Sequence, residues 1–169
     1  MRGPNSVISL LIDDPKTMTI DQAERQVDEL EGGYLAHVYS SCDATLARAA
    51  FLPELVDRWV RSKDEIRRRC GYGLLYELSK SKKKNAPTDA EFLAYVKLIE
   101  RTWQQEGMPV LMAQGLALMG LGKRSAVLHK AALKLIRRIG PIDFDPDGRC
   151  EPMDFEKHLT NPRVADKFS

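Results

Sequence analysis

Apolar residues recur about every three or four positions along most of the chain, which is the pattern of amphipathic helices. Leu55, Val56 and Trp59 fall on one helical face, and Phe92 and Val96 fall on another. No alternation of apolar and polar residues lasts long enough to indicate a β-strand. The hydrophobic pattern therefore predicts an all-α protein.

Polar residues, prolines and glycines mark the ends of the predicted helices. Thr19 and Gln22 have the spacing of a capping box, in which each side chain accepts a hydrogen bond from the other residue's backbone. The expected N-caps are Thr19, Asp64, Thr88 and Ser125, the first-turn prolines are Pro53 and Pro109, and the helix-ending glycines are Gly107, Gly120 and Gly122. The predicted helices cover residues 20–30, 34–42, 43–50, 53–62, 65–81, 89–106, 109–121, 126–140 and 153–159.

Two of these helices are related by an internal repeat. Gly73-Leu74 aligns with Gly115-Leu116 at an offset of 42 residues, and the three helical glycines Gly71, Gly73 and Gly115 are expected to let helices approach closely. Repeats of about 40–47 residues made of paired helices are typical of HEAT-type solenoids. We therefore interpret the chain as a short curved α-solenoid of HEAT-like repeats; the alternative is an irregular helical bundle with a chance offset.

The length of 169 residues and an apolar fraction of 43% are typical of one globular domain. We predict a single HEAT-like domain over residues 1–169, with an N-terminal arm in residues 1–18 and a C-terminal tail in residues 141–169. No apolar run approaches the length of a membrane helix, and the first residues lack a secretion signal, so a cytoplasmic protein without a membrane partner is expected.

The cysteines and histidines do not form the spacing of a metal or catalytic site. Cys42, Cys70 and Cys150 lie far apart without a CxxC pair, which predicts reduced and mostly buried thiols. The alternating carboxylates of Asp143, Asp145 and Asp147 lack the glutamate that ends a calcium-binding loop. No metal and no cofactor is therefore predicted.

Charge is distributed unevenly along the chain. Residues 1–57 carry 4 basic and 10 acidic side chains, whereas residues 58–169 carry 22 basic and 14 acidic ones. This asymmetry favours a polyanionic partner for the second part, although a solvated basic face is the plainer explanation. Because basic clusters recur on successive repeats, we predict contacts with the backbone of double-stranded DNA. The predicted contact residues are Arg61, Lys63, Arg68, Arg69, Lys82, Lys83, Lys84, Lys123 and Arg124.

Two further features accompany these clusters. Arg67, Arg68 and Arg69 occupy consecutive helical positions, so at least one guanidinium must lie near the packed side of its helix and needs an anion there. The basic cluster that begins at Lys123 and Arg124 continues along the next predicted helix. Its further members are Lys130, Lys134, Arg137 and Arg138. Tyr39 and Asp43 are four positions apart and share a helical face, although an aspartate at this position is also a competent N-cap.

Three short motifs follow one another in the order "YSSCD", "WVRSKDEIRRR" and "AQGLALMGLGKR". Their order and spacing, together with the tail "RIGPIDFDPDGRCEPMDF", resemble the DNA alkylation repair family, the AlkD-like alkylpurine DNA glycosylases built from HEAT-like repeats. The matching positions are Tyr39 and Asp43 in the first motif, Trp59, Ser62, Arg68 and Arg69 in the second, and Ala113, Gly115, Ala117 and Leu118 in the third. Two aromatic residues of the family are replaced here by Ile66 and Leu116.

The resemblance implies a DNA-binding protein that excises N3- or N7-alkylated purines by hydrolysing the N-glycosidic bond. In that role Asp43 would be the catalytic carboxylate that stabilises an oxocarbenium-like sugar cation, and Tyr39 would be an aromatic wall beside it. Arg68 or Arg69 would contact a phosphate. The alternatives are a non-catalytic DNA-binding module, in which Asp43 only caps a helix, and a HEAT-repeat scaffold for a protein partner.

Overall fold

The computed structural model describes residues 14–30, 33–40, 45–145 and 147–168. Nearly all regular structure within these ranges is helical, and the β-type pairing that they contain is one antiparallel bridge between Ile142 and Met153. The chain divides into two compact units, a first unit that ends at Leu78 and a second unit that begins at Ser79. The prediction of an all-α protein is confirmed, and the single-domain organisation stays a prediction.

The first unit contains five described helices, two of which begin at capping residues expected from the sequence. They are α1 (Ile20–Asp28), α2 (Gly33–Ser40), α3 (Thr45–Arg48), α4 (Leu52–Val60) and α5 (Glu65–Ser79), the last of which ends in the second unit. Thr19 and Gln22 form the predicted capping box. The Asp64 carboxylate accepts the backbone N–H of Arg67 at 2.8 Å. Local capping therefore sets where α1 and α5 begin.

The second unit contains α6 (Asp89–Thr102), α7 (Met108–Gly122), α8 (Ala126–Ile139), α9 (Phe155–Thr160) and α10 (Pro162–Ala165). Thr88 and Ser125 cap α6 and α8 as predicted. The prediction that α6 continues to residue 106 was wrong, since Trp103–Gln105 form a 3₁₀ turn. The Thr102 hydroxyl donates to the Leu98 carbonyl and accepts from the Gln114 amide, which fixes the end of the helix there.

The predicted repeat is visible in the helix boundaries. Helices α5 and α7 each contain 15 residues, and α7 begins 43 positions after α5. Helices α4 and α6 end 42 positions apart, at Val60 and Thr102. Each pair therefore repeats the same order of a leading helix, a connection and a longer second helix.

Glycines allow close packing inside both units, as predicted. A Cβ atom on Gly73 would lie 2.7 Å from the Ser40 hydroxyl in the first unit, and one on Gly115 would overlap the Phe155 ring in the second. The expectation that Gly120 and Gly122 act as helix breakers was wrong for Gly120, which is a buried residue inside α7. Gly122 ends α7, but its role is to admit Leu159 of α9 at close range.

The C-terminal residues belong to the core of the second unit. Phe155 and Leu159 of α9 are buried, and they contact the glycine positions of α7. The short helix expected near residues 153–159 is confirmed as α9. Helix α10 was missed because four residues give too little pattern to recognise, although Asn161 caps it through the N–H of Arg163.

The thiols differ in their surroundings. Cys70 is buried, and burial raises the pKa of its thiol to about 12. Cys150 is exposed, so the expectation of mostly buried thiols was wrong at this position. It lies in the turn-rich segment before α9, between the charged residues Arg149 and Glu151. Cys42 lies outside the described residues.

Candidate nucleic-acid interface

Arg67 is the arginine of α5 that lies near the packed side of the helix. Its side chain is only 22% exposed, and its Nε donates to Glu24 Oε2 at 3.0 Å while Nη2 donates to Asp28 Oδ1 at 2.7 Å. Burial opposes the charge, but the hydrogen bonds to Asp28 and Glu24 outweigh it and raise the pKa of Arg67. The anion that the sequence analysis required for one of these arginines is therefore a pair of carboxylates on α1, those of Glu24 and Asp28.

Glu24 joins three helices of the first unit. Its Oε1 accepts the indole N–H of Trp59 at 3.0 Å and a more distant N–H of Arg58 at 3.4 Å, while its Oε2 accepts from Arg67. Trp59 is completely buried, as expected for a residue on an apolar stripe. The carboxylate thus satisfies donors from α4 and α5 at once, which fixes α1 against them.

Tyr39 lies in the core of the first unit. Its hydroxyl is 3.0 Å from the Ala23 carbonyl oxygen and 3.1 Å from Gln26 Oε1, and its ring stacks on Trp59 with centroids 6.1 Å apart. The side chain has no solvent-exposed surface, so it contacts the protein on all sides. Asp43 lies outside the described residues. The roles of Tyr39 and Asp43 in a catalytic site stay predictions.

Arg68 contacts the backbone of the turn between α4 and α5. Its Nη1 donates to the carbonyl oxygens of Ser62 at 3.1 Å and Lys63 at 2.8 Å. A guanidinium nitrogen has two hydrogens, so these bonds occupy both hydrogens of Nη1. The structure therefore gives Arg68 a clear structural role, and its predicted phosphate contact stays a prediction.

The other predicted contacts of the first unit lie nearer to solvent. Arg61 forms an ion pair with Asp57 at 2.9 Å, and both side chains are about half exposed. Such an exposed pair contributes only about 0.3–0.5 kcal/mol, so a phosphate could replace the carboxylate. Lys63 is exposed and Arg69 is half-buried.

Arg124 binds the loop between α5 and α6 from within the second unit. Its Nη1 donates to the carbonyl oxygens of Ser79 at 2.9 Å and Ser81 at 2.7 Å, and Nη2 lies 3.5 Å from the Pro87 carbonyl oxygen. The guanidinium carbon lies 4.7 Å from the centroid of the Phe92 ring. Sequence reasoning placed Arg124 at the DNA surface, whereas most of its donors point to the protein backbone.

The lysines around Arg124 remain open to solvent. Lys82, Lys83 and Lys84 are exposed, and none forms an ion pair with another described residue. Lys123 is exposed too. Partial desolvation and then the positive charge of Lys80 lower the pKa of Lys123. Perturbed pKa values cluster at functional sites.

Helix α8 adds two lysines that were seen in the sequence but not included among the predicted contacts. Lys130 and Lys134 are exposed, lie four positions apart on one face, and make no ion pair within the described part of the chain. The sequence could have indicated these two contacts, because α8 contains no acidic residue that could neutralise them. Its last two arginines differ: Arg137 pairs with Glu156 and Arg138 with Glu100.

Two other kinds of site are absent from the described ranges. No group of three or more His, Cys, Asp or Glu side chains there could hold a metal ion. No helix among those residues has the length and apolar character needed to cross a membrane.

One solved structure is similar to this chain over most of its length. The protein is described as one of a new family related to the HEAT-like repeat DNA glycosylases, with affinity for branched DNA structures. The TM-score is 0.75, the sequence identity is 17%, and the match covers 95% of this chain and 68% of the other. No family model and no curated protein matches the sequence.

A likeness at 17% identity shows the fold. The predicted fold class, an all-α HEAT-like solenoid, is therefore confirmed. The chain shares this architecture with a family related to the HEAT-like repeat DNA glycosylases. This shared fold is a coarser statement than the membership of the AlkD-like family that the sequence motifs suggest.

The carboxylate pair around Arg67 gives a stability prediction. We expect Arg67→Met to lower the free energy of unfolding by about 1–2 kcal/mol, since Glu24 would lose a donor in a largely buried position. Arg61→Met removes an exposed arginine of the same unit and should cost less than about 0.5 kcal/mol. Urea unfolding of both variants measures the difference, and equal losses would contradict the assignment of Arg67 as the structural arginine.

Proposed function

We propose that this chain binds DNA through the phosphate backbone, mainly with lysines of the second unit. The observation that carries the proposal is a set of exposed lysines without ion pairs among the described residues. Six lysines of this kind, Lys82, Lys83, Lys84, Lys123, Lys130 and Lys134, lie in the loop after α5, in the turn after α7 and on α8. Ammonium groups that are not neutralised by nearby carboxylates can release the counterions of a phosphate chain when they bind it.

The charge of the second unit supports this proposal. Residues 79–169 carry 16 basic and 11 acidic side chains, whereas residues 1–78 carry 10 basic and 13 acidic ones. Three of the acidic side chains of the second unit, Asp143, Asp145 and Asp147, lie together before α9 and away in sequence from the lysines. A polyanion is thus attracted to the second unit.

The kinds of side chain indicate backbone contacts more than base reading. Sequence-specific contacts to guanine most often use the fork of an arginine, but the arginines that neighbour these lysines in the sequence, Arg124, Arg137 and Arg138, have acceptors within the protein. The lysines that remain are flexible point charges, which neutralise phosphates without reading sequence. We therefore expect little dependence on base sequence.

The kind of DNA is suggested by the protein of similar fold, which is described as having affinity for branched DNA structures. Where duplex arms meet at a junction, phosphates of several strands come close together and the local negative potential increases. A cluster of lysines gains more from such a site than from a linear duplex. We therefore propose a preference for branched over linear DNA of equal length.

Salt dependence tests the proposal and separates it from a scaffold that binds a protein partner. If all six lysines neutralise a phosphate, the logarithm of the affinity should fall with the logarithm of salt concentration with a slope of about −5. We expect the triple change Lys82→Gln, Lys83→Gln and Lys84→Gln to reduce the size of that slope by about 2–3. Fluorescence anisotropy with a four-way junction and a linear duplex of equal length measures both effects.

A matched control is available. Lys16, Lys97 and Lys157 are exposed and lie outside the proposed contacts, Lys157 being paired with Asp154 at 3.8 Å, and their replacement by glutamine changes the net charge equally. This second triple variant should keep a slope close to that of the unchanged protein. If both triple variants lose the same amount of slope, the effect depends on net charge and not on the position of the lysines. If the affinity of the unchanged protein does not depend on salt, the proposal is wrong.

The finer hypothesis is that the chain also excises alkylated purines, with Asp43 as the catalytic carboxylate. In that reaction the bond between the sugar and the charged base breaks, and water adds to the sugar cation that Asp43 stabilises. The sequence motifs support the hypothesis. Against them stand Leu116 and Ile66, since aliphatic side chains lack the negative face that attracts a cation.

Release of 7-methylguanine and 3-methyladenine from a methylated duplex tests this hypothesis. If Asp43 is catalytic, Asp43→Asn should lower the rate of release at least about 100-fold, because a neutral amide does not stabilise the cation. DNA affinity of the same variant should stay within about twofold, since the change removes a single charge and none of the lysines proposed to contact phosphates. Equal rates at the uncatalysed background for both proteins would leave a DNA-binding protein without this activity.

A further inference from the structure

We propose that Arg124 is a positioning residue, which arranges the lysines of residues 80–87 for DNA binding and does not itself bind phosphate. Residues 80–87 are called the lysine loop below. This inference rests on the proposed function, because it explains how the loop lysines are presented. It differs from the sequence prediction, which placed Arg124 directly against the DNA backbone.

Arg124 contacts both ends of the lysine loop. Ser79 and Ser81 supply carbonyl acceptors at its beginning, at 2.9 and 2.7 Å, and Pro87 supplies a more distant one at its end, at 3.5 Å. Lys82, Lys83 and Lys84 lie between these points. One side chain therefore bridges the two stems from which the three lysines project.

The surroundings of the guanidinium favour this internal role. The side chain is 21% exposed, lies over the buried ring of Phe92, and has Asp89 Oδ1 at 3.9 Å from its Nε. Both hydrogens of Nη1 are used by carbonyl oxygens. A phosphate would have to displace these bonds, whereas exposed ammonium groups are present on the neighbouring lysines.

The lysine loop has few hydrogen bonds of its own. Within it the Ala86 N–H donates to the Lys83 carbonyl at 3.0 Å, and the Lys83 N–H lies 3.4 Å from the Ser81 hydroxyl oxygen. Without Arg124 the stems would lose the guanidinium group that joins them. The loop would then sample more conformations, and DNA binding would have to order it.

Arg124 also places the loop beside a further cation. Lys123 precedes Arg124 in the turn after α7, and its ammonium group interacts electrostatically with that of Lys80 at the start of the loop. The bonds from Arg124 to Ser79 and Ser81 flank Lys80 on both sides. The same side chain therefore holds the start of the lysine loop near Lys123.

The first test needs no DNA. Hydrogen exchange of the amides in residues 80–87, and tryptic cleavage after Lys82, Lys83 and Lys84, report how ordered the loop is. We expect Arg124→Lys and Arg124→Met to increase both rates at least about fivefold. The same changes at Arg149, an exposed arginine of this unit, should leave both rates unchanged. Unchanged loop rates in the Arg124 variants would overturn the proposal.

The second test is a double-mutant cycle on junction binding. In the unchanged background, Arg124→Lys should weaken binding roughly fivefold to tenfold although the charge is kept, because the loop must be ordered during binding. In the background with Lys82, Lys83 and Lys84 replaced by glutamine, the same change should have little effect. An equal loss in both backgrounds would show that Arg124 contributes independently of the loop lysines, and full affinity of Arg124→Lys would show that binding does not need the bridge. Either result would overturn the proposal.

Two precautions keep the outcomes distinct. Circular dichroism shows whether each variant is folded. Phe92→Leu is a second variant, which removes the aromatic ring beneath the Arg124 guanidinium without changing charge. It should increase loop exchange in the same region. If the unchanged protein does not bind DNA, the proposed function fails, whereas the exchange and cleavage rates still decide whether Arg124 orders the loop.

Discussion

A guanidinium group that is largely removed from water must find acceptors inside the protein, and this constraint organises both units. Arg67 finds two carboxylates on α1, and Arg124 finds backbone carbonyls at both ends of the lysine loop. The planar group can satisfy several acceptors at once, which an ammonium on a flexible stem cannot do as well. Arg67 and Arg124 are therefore largely buried and fix a helix and a loop, whereas exposed lysines of the second unit stay available for an anion.

Close helix packing provides the rigid support for those lysines. In the second unit Gly115 and Gly122 admit Phe155 and Leu159, so residues near the C-terminus complete the core beneath α7 and α8. A surface of mobile lysines gains affinity when its backbone is already ordered, because less conformational entropy is lost on binding. The internal packing of the second unit therefore supports DNA binding by its exposed lysines, because it keeps their backbone ordered.

The sequence predicted the features that depend on local interactions. The capping residue Thr88 marked the start of α6, and the offset between Gly73 and Gly115 revealed the helix repeat. Arg61 could have been assigned its partner too, since Asp57 lies four positions before it. The role of Arg124 could not be predicted, because its carbonyl acceptors lie 37–45 positions away in the chain. Charge in a sequence shows which residues are cationic, whereas only the fold shows which cations are already neutralised.

The central claim is that exposed lysines of the second unit contact the DNA backbone, and chemical footprinting tests it most directly. Lysines are reductively methylated with and without a saturating four-way junction, and mass spectrometry measures the modification of each. The account predicts that DNA protects Lys82–Lys84, Lys123, Lys130 and Lys134, while Lys16 and Lys157 are modified at unchanged rates. Equal modification of every lysine with and without bound DNA, or protection confined to the first unit, would contradict it.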